Sequence, residues 1–298
     1  MERNNNNESN TETVGTVAVS ISSFVHFRYT LPEAIRRYAD LGFDMVEPWG
    51  GRPHAFWEDM RGDYLKEILD ALDETGLRIS NFIPAQFRYP VNIATPIPEM
   101  RVASVDYLKR NVEAALRLKA PSVSLCPGFS LRGQGRESAW DAMIQSIREL
   151  IGFAPGDFLI LIEPGNLWET DLIATVEDGM KAIAELGSPK NLGLCLDTGH
   201  LFINREAVSD APSLVGKLPL HFHVDDNRGK GDDHLVPGEG DIDFRLFFSK
   251  LIRSGYSGAL TVEIGFGYTP DPDPPALASL EAVKWGFSQA RKQFMGEG

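Results

Sequence analysis

The chain has 298 residues, 43% of them hydrophobic and 24% charged, and its 29 Lys plus Arg against 42 Asp plus Glu give a formal charge of −13. Those proportions exclude a wholly disordered or collagen-like chain, and a chain of this length buries enough surface to fold without a disulfide or structural metal. An acidic chain with no basic stripe repels a duplex, and no stretch approaches the ~20 apolar residues of a membrane span, so neither a nucleic acid nor a membrane is an expected partner.

Residues 1–13 are polar and Asn-rich, with no apolar segment or cleavage site. They read as a disordered tail, and residues 14–298 as a single domain. From there short apolar runs of strand length alternate with longer amphipathic stretches of helical spacing. The run 16–22 predicts the first strand. A helix over 31–41 follows, opened by Thr30 as N-cap and closed by Gly42. Next come a strand over 44–49, a helix over 63–74 ending at Gly76, a strand over 78–83 and a helix over 100–118. The strand 122–127 precedes a helix over 138–151, and the strand 158–164 precedes a helix over 172–186. The strand 192–197 is followed by a weaker helix over 205–217, and the strand 220–225 by a helix over 244–254. The strand 258–264 and a helix over 276–294 complete the series, joined by the Pro-rich loop 269–275.

Runs such as Phe158-Leu-Ile-Leu-Ile162 are apolar without alternation, as in strands covered on both faces, which points to a parallel sheet. Eight strand–helix units of about 35 residues match an α/β fold of the (β/α)8 TIM-barrel type. The rival, a doubly wound open sheet, lacks its GxGxxG fingerprint, and no GxxxxGK[ST] phosphate loop is present. The two cysteines, Cys126 and Cys195, fall within strands and read as reduced, packed thiols of a cytoplasmic protein.

In such a barrel the strand C-termini and the loops after them build the active site. The fifth to eighth strands end in Glu163-Pro-Gly-Asn, Asp197-Thr-Gly-His200, His223-Val-Asp-Asp226 and Glu263-Ile. Adjacent strands lie about 4.8 Å apart, so Glu163, Asp197, His223 and Glu263 can converge on one ion. Three carboxylates and an imidazole suit Mn²⁺ or Mg²⁺ better than a thiol-loving metal, with Zn²⁺ or Co²⁺ as alternatives, and Mn²⁺ is the expected cofactor. A single carboxylate after a strand is usually a solvated loop residue, but buried carboxylates clustered together repel one another without a cation.

Longer patterns surround these residues: Glu163-Pro-Gly-Asn-Leu-Trp-Glu169-Thr-Asp, Leu196-Asp-Thr-Gly-His200, His223-Val-Asp-Asp-Asn227 and His234-Leu-Val-Pro-Gly-Glu-Gly-Asp-Ile-Asp243. Together they resemble the sugar phosphate isomerase/epimerase family, the xylose-isomerase-like TIM barrels, over about residues 14–294. The resemblance implies a divalent metal on Glu163, Asp197, His223 and Glu263, with His200 binding substrate or standing behind the ligands. The stretch 163–170 resembles the ketose 3-epimerase branch. There the residue matching Glu169 touches substrate, the two metal-bound glutamates move the proton, and an Arg follows the seventh strand; Arg228 is the candidate, one residue nearer His223 than in that pattern. Asp232 and His234, with His200, resemble extra metal ligands of the endonuclease IV branch, but that branch's histidines after strands three and four are replaced by Pro84-Ala-Gln86 and Cys126-Pro127-Gly128.

The expected activity is therefore a divalent-metal-dependent isomerase or epimerase of a ketose or keto-polyol, working through a metal-stabilised enediolate with Glu163 and Glu263 as the proton-transferring pair. Alternatives are a dehydratase or lyase on an inosose, a dehydroshikimate-like or a 3-keto-glycoside substrate, and more remotely a phosphodiesterase. His234 reads as a substrate or metal contact, Asp226 and Asp232 as residues behind the ligands, and Trp49 as a substrate contact. Glu47 reads equally as a floor carboxylate or a substrate contact, and His221 as a satisfied core histidine. Phe87, Phe129, Trp168 and Tyr268, and Arg52, Arg88, Arg132 and Arg205, also follow strands and offer packing or anion-binding groups. A homodimer or homotetramer is implied by the resemblance alone.

Overall fold

The computed structural model describes residues 17–86 and 91–296. The expected tail, Phe87 and Arg88 lie outside them. Eight parallel strands form one sheet: β1 (Val19–Ser22), β2 (Met45–Glu47), β3 (Arg78–Ile79), β4 (Ser122–Leu125), β5 (Leu159–Ile162), β6 (Leu192–Asp197), β7 (Leu220–Val224) and β8 (Leu260–Val262). Their order is β3-β2-β1-β8-β7-β6-β5-β4. A parallel bridge between Phe82 and Val123 joins the two edges, with Phe82 N–H donating to Ser122 O (3.1 Å) and Ser124 N–H to Phe82 O (3.0 Å). That bridge closes the barrel, and every expected strand is present. No helix among the described residues is long and apolar enough to cross a membrane.

The surrounding helices are α1 (Leu31–Leu41), α2 (Gly62–Thr75), α3 (Pro98–Arg117), α4 (Arg136–Phe153), α5 (Val176–Glu185), α6 (Thr198–Ile203), α7 (Ala211–Val215), α8 (Phe244–Arg253) and α9 (Asp273–Met295). The first has the expected bounds because both ends are chemically marked. Glu33 N–H donates to Thr30 Oγ1 (3.4 Å), Thr30 N–H donates to Glu33 Oε2 (2.9 Å), and Gly42 turns the chain at φ 91°.

Two expectations are corrected. The fifth helix starts at Val176 rather than 172, because Thr175 caps it by accepting the Asp178 N–H, while Leu172 and Ile173 pack in the core ahead of it. The stretch 205–217 is a short 3-10 turn followed by α7, since Pro212 belongs in a first turn and starts a new helix there. The helix α6 was not expected, being six residues long and directly attached to β6.

Inside the barrel the lower layers are small and polar. Ser20 and Ser80 hydroxyls lie 2.7 Å apart, and Ser122 Oγ donates to Asn81 Oδ1 (2.6 Å). Apolar side chains such as Ile160, Ile162, Leu194 and Phe222 are fully buried. Gly193 permits close approach of the chain entering β7, since a Cβ there would lie 2.1 Å from Pro219 O.

Candidate active site

The register of the strands sets the height of each functional side chain. Ile162 pairs with Leu194, which puts Glu163 opposite Cys195, and Asp197 stands two residues further along. Asp197 pairs directly with His223. His223 pairs with Thr261, and Glu263 again stands two residues further. Steps of two keep side chains on the inward face, and staggering of this kind offsets the tilt of barrel strands. The four residues thus meet at one level.

Their ligand atoms all lie within 4.8 Å of one another. His223 Nδ1 is 2.9 Å from Glu163 Oε1 and 2.8 Å from Glu263 Oε2. Asp197 Oδ1 accepts the His200 N–H (2.8 Å) and so caps α6, while its Oδ2 is buried with no hydrogen-bond partner. A buried, unpartnered carboxylate oxygen beside two further carboxylates and an imidazole is a donor set that fits a hard divalent cation. Burial pushes the Glu163 carboxyl up, and Glu263 adds to this, against the pull of His223.

Behind the cluster, His223 Nε2 lies 3.0 Å from Glu47 Oε1 and 3.2 Å from Glu47 Oε2. Glu47 is fully buried, accepts from Asn81 Nδ2 (2.8 Å) and lies 3.2 Å from His221 Nε2. Burial would raise its carboxyl, but His223 and His221 outweigh it and hold it well below the usual range. Glu47 is therefore a floor carboxylate. His221 is a satisfied core residue, with Thr261 Oγ1 at 2.9 Å. The Cys195 thiol, 3.5 Å from His223 Nε2, is pushed up by burial, and Cys126 likewise, so both are protonated thiols.

Above the cluster sits a second group. His200 Nδ1 faces Pro164 O at 3.3 Å, and its buried Nε2 has no hydrogen-bond partner, lying 3.6 Å from Asp232 and 3.7 Å from Glu169. His234 is 3.1 Å from Asp225 Oδ2 and 3.3 Å from Asp232 Oδ2. Burial opposes charge on His200 and His234, but Asp197, Asp232 and Glu169 around the first, and Asp225 and Asp232 around the second, hold both well above the ordinary imidazole value. Burial pushes Glu169 up to about 7, with Asp232 and Glu163 adding to it against His200.

Two of the assignments expected from the sequence change. Asp226 does not orient a ligand: its Oδ1 accepts the Asn227 and Ile242 amides and its Oδ2 those of Gly238 and Gly240, so it ties down the loop after β7. Asp225 is the residue that faces the site, accepting from Gly199 N (2.9 Å) beside His234. The alternation of His221, His223 and Asp225 on one face was the signal for it. Arg228 is exposed, and its guanidinium donates to Glu239 O (3.1 Å), away from the carboxylate–imidazole cluster. Trp49 is half-buried and meets Phe24 edge-on at 5.2 Å, and Phe24 in turn meets Phe266 at 4.6 Å, forming an aromatic wall.

A cavity of about 560 Å³ opens beside Glu169 and Cys126, while a larger one of about 770 Å³, around Trp57, Arg61 and Arg110, contains none of the cluster. The chain is 27% identical over 260 residues to a fructoselysine 3-epimerase of Shigella flexneri, covering 87% of this chain and 94% of that protein. It is 26% identical over 237 residues to a D-psicose 3-epimerase of Ruminiclostridium cellulolyticum, covering 77% and 76%. The structure of an L-ribulose 3-epimerase superposes with a TM-score of 0.79 at 19% identity, covering 94% of this chain and 97% of that one. Residues 35–286 match the model of the xylose isomerase-like TIM barrel family, and the chain belongs to that family.

Proposed function

We propose that the protein is a divalent-metal-dependent epimerase of a ketose or keto-polyol, and that Glu163, Asp197, His223 and Glu263 hold the metal. The observation that carries this is the convergence of those four residues with Asp197 Oδ2 unpartnered. Relatives whose names are ketose 3-epimerases, aligned over most of the chain, support the same reading. A bound Mn²⁺, or another hard divalent ion, would supply a Lewis acid that acidifies the C–H beside a ketone.

The protein's own part in this reading is proton transfer and substrate binding. Glu163 follows β5 and Glu263 follows β8, and their carboxylates lie 2.9 and 2.8 Å from His223 Nδ1. One carboxylate takes the proton from one face of the substrate carbon and the other returns a proton to the opposite face, which inverts the centre. His200 presents a buried Nε2 that makes no hydrogen bond within the protein, suited to a substrate oxygen. Glu169 accepts from a substrate hydroxyl.

The test is incubation of Mn²⁺-loaded protein with a panel of ketoses and keto-inositols in D₂O. Solvent deuterium at the inverted carbon of a recovered epimer is the expected result. An enone absorbance instead would assign a dehydratase, and inertness toward the whole panel would overturn the reading.

A further inference from the structure

We propose that the sugar this site turns over carries a substituent with an apolar body and a carboxylate end, and that the substituent lies in the cavity between the loops after β3, β4 and β5. This rests on the epimerase reading and names its substrate class.

The cavity holds about 560 Å³ and includes Gln86, Cys126, Phe129, Arg132, Trp168 and Glu169 in its lining. That volume lies in the range of sites for drug-sized ligands, roughly 300–1,000 Å³. None of Glu163, Asp197, His223 and Glu263 lines it, so it is space in addition to that around the metal cluster. It is nevertheless continuous with the cluster. Glu169 forms part of its wall and reaches to 3.7 Å from His200 Nε2, and Cys126, which ends the fourth strand region, lines it as well.

The lining suits an occupant less polar than a sugar ring. Several of its polar side chains are already engaged: Gln86 Nε2 donates to Cys126 O (2.8 Å) and its Oε1 accepts the Cys126 N–H (3.0 Å), while Asp171 accepts from the Ser130 amide (2.8 Å) and hydroxyl. Sugar hydroxyls would find few partners there. By contrast Leu167 is 65% exposed, Trp168 63% and Phe129 45%, an apolar concentration at the rim of a cavity that signals a binding surface. Among the described residues Arg132 has no ion pair and no hydrogen bond, although it lines the same cavity of a strongly acidic protein. A planar guanidinium left without a carboxylate partner beside an aromatic wall recognises a carboxylate on an apolar stem.

The experiment compares a free ketose, the same ketose phosphorylated, and the ketose joined through an amine to an amino acid, using metal-loaded protein in D₂O. The expected result is a higher kcat/KM for the amino-acid conjugate than for either other substrate. Arg132→Ala and Trp168→Ala should each lower the ratio of kcat/KM for conjugate over free ketose about tenfold, through KM. Quenching of Trp168 fluorescence by the conjugate, absent in Trp168→Ala, should give the same dissociation constant without turnover. A ratio near one that neither variant moves, with exchange still running, overturns this inference and leaves the epimerase standing. Preference for the phosphorylated ketose also overturns it, because a phosphate has no use for the apolar wall. Dissociation of an oligomer in Trp168→Ala would show a second copy of the chain seated on the rim, and overturns it as well. Absence of exchange with all three substrates removes the epimerase reading and this inference together.

Discussion

Both oxygens of Glu47 lie within 3.2 Å of His223 Nε2, on the edge of the ring opposite the one that meets Glu163 and Glu263. A carboxylate at Nε2 keeps the proton there and turns the Nδ1 lone pair toward the cluster, which is how a histidine is prepared to bind a metal. Glu47→Gln should therefore weaken Mn²⁺ binding about 10–100-fold, measured by competition with a chelating dye. An unchanged affinity would reduce Glu47 to a packing role.

Removal of the metal should destabilise the fold. Three carboxylates and His223 converge within 4.8 Å, and a cation neutralises their repulsion. Chelation should lower the melting temperature, and Mn²⁺ at a hundredfold excess over its Kd should return about 2.7 kcal/mol. Differential scanning calorimetry checks this. The gain should vanish in Asp197→Asn, whose amide replaces the unpartnered oxygen.

Glu163→Gln and Glu263→Gln should each lower epimerisation by about a thousandfold. The two need not fail alike. If the carboxylates serve opposite faces, each variant should still exchange with solvent the hydrogen of one epimer, the one whose proton the remaining carboxylate removes, without inversion, and the two variants should exchange opposite epimers. NMR of the recovered sugar in D₂O separates these outcomes.

Acid should weaken the fold through His54. This fully buried imidazole faces Ser23 Oγ (2.9 Å) and the carbonyls of His26 and Tyr29, and burial lowers it to about 4 from 6.5. The unfolded chain then binds the proton that the folded one refuses. The stability is complete above pH 6.5 and is lost as pH falls toward 4, by about 3 kcal/mol. Urea midpoints between pH 7 and 4 should show this slope, and His54→Gln should flatten it.

The loop after β7 depends on Asp226, whose carboxylate accepts four backbone amides. Asp226→Ala should speed hydrogen exchange at Gly238, Gly240 and Ile242 roughly a hundredfold, since each unsatisfied amide costs about 1–3 kcal/mol. Strand amides in β5 should be unaffected.

The strands were legible because burial on both faces writes them as apolar runs, and α1 because Thr30 and Gly42 mark its ends. The start of α5 was not, since the apolar spacing of Leu172 and Ile173 continues a helical pattern that Thr175 interrupts. The cluster could be read from strand ends alone. Glu47 could not be assigned, because its partner His223 lies 176 residues away and only barrel closure brings them together. Asp226 was misjudged for Asp225 because adjacency to a motif says nothing of which face a residue takes.

The twofold stagger from Glu163 to Asp197 and from His223 to Glu263 has a bearing on how such proteins diversify. An odd insertion within β5 to β8 would swing a ligand out of the barrel and end the chemistry at a stroke. Loops beyond the strand ends carry no such parity constraint, so whole loops can be exchanged among relatives, and substrate range can be inherited apart from the reaction itself.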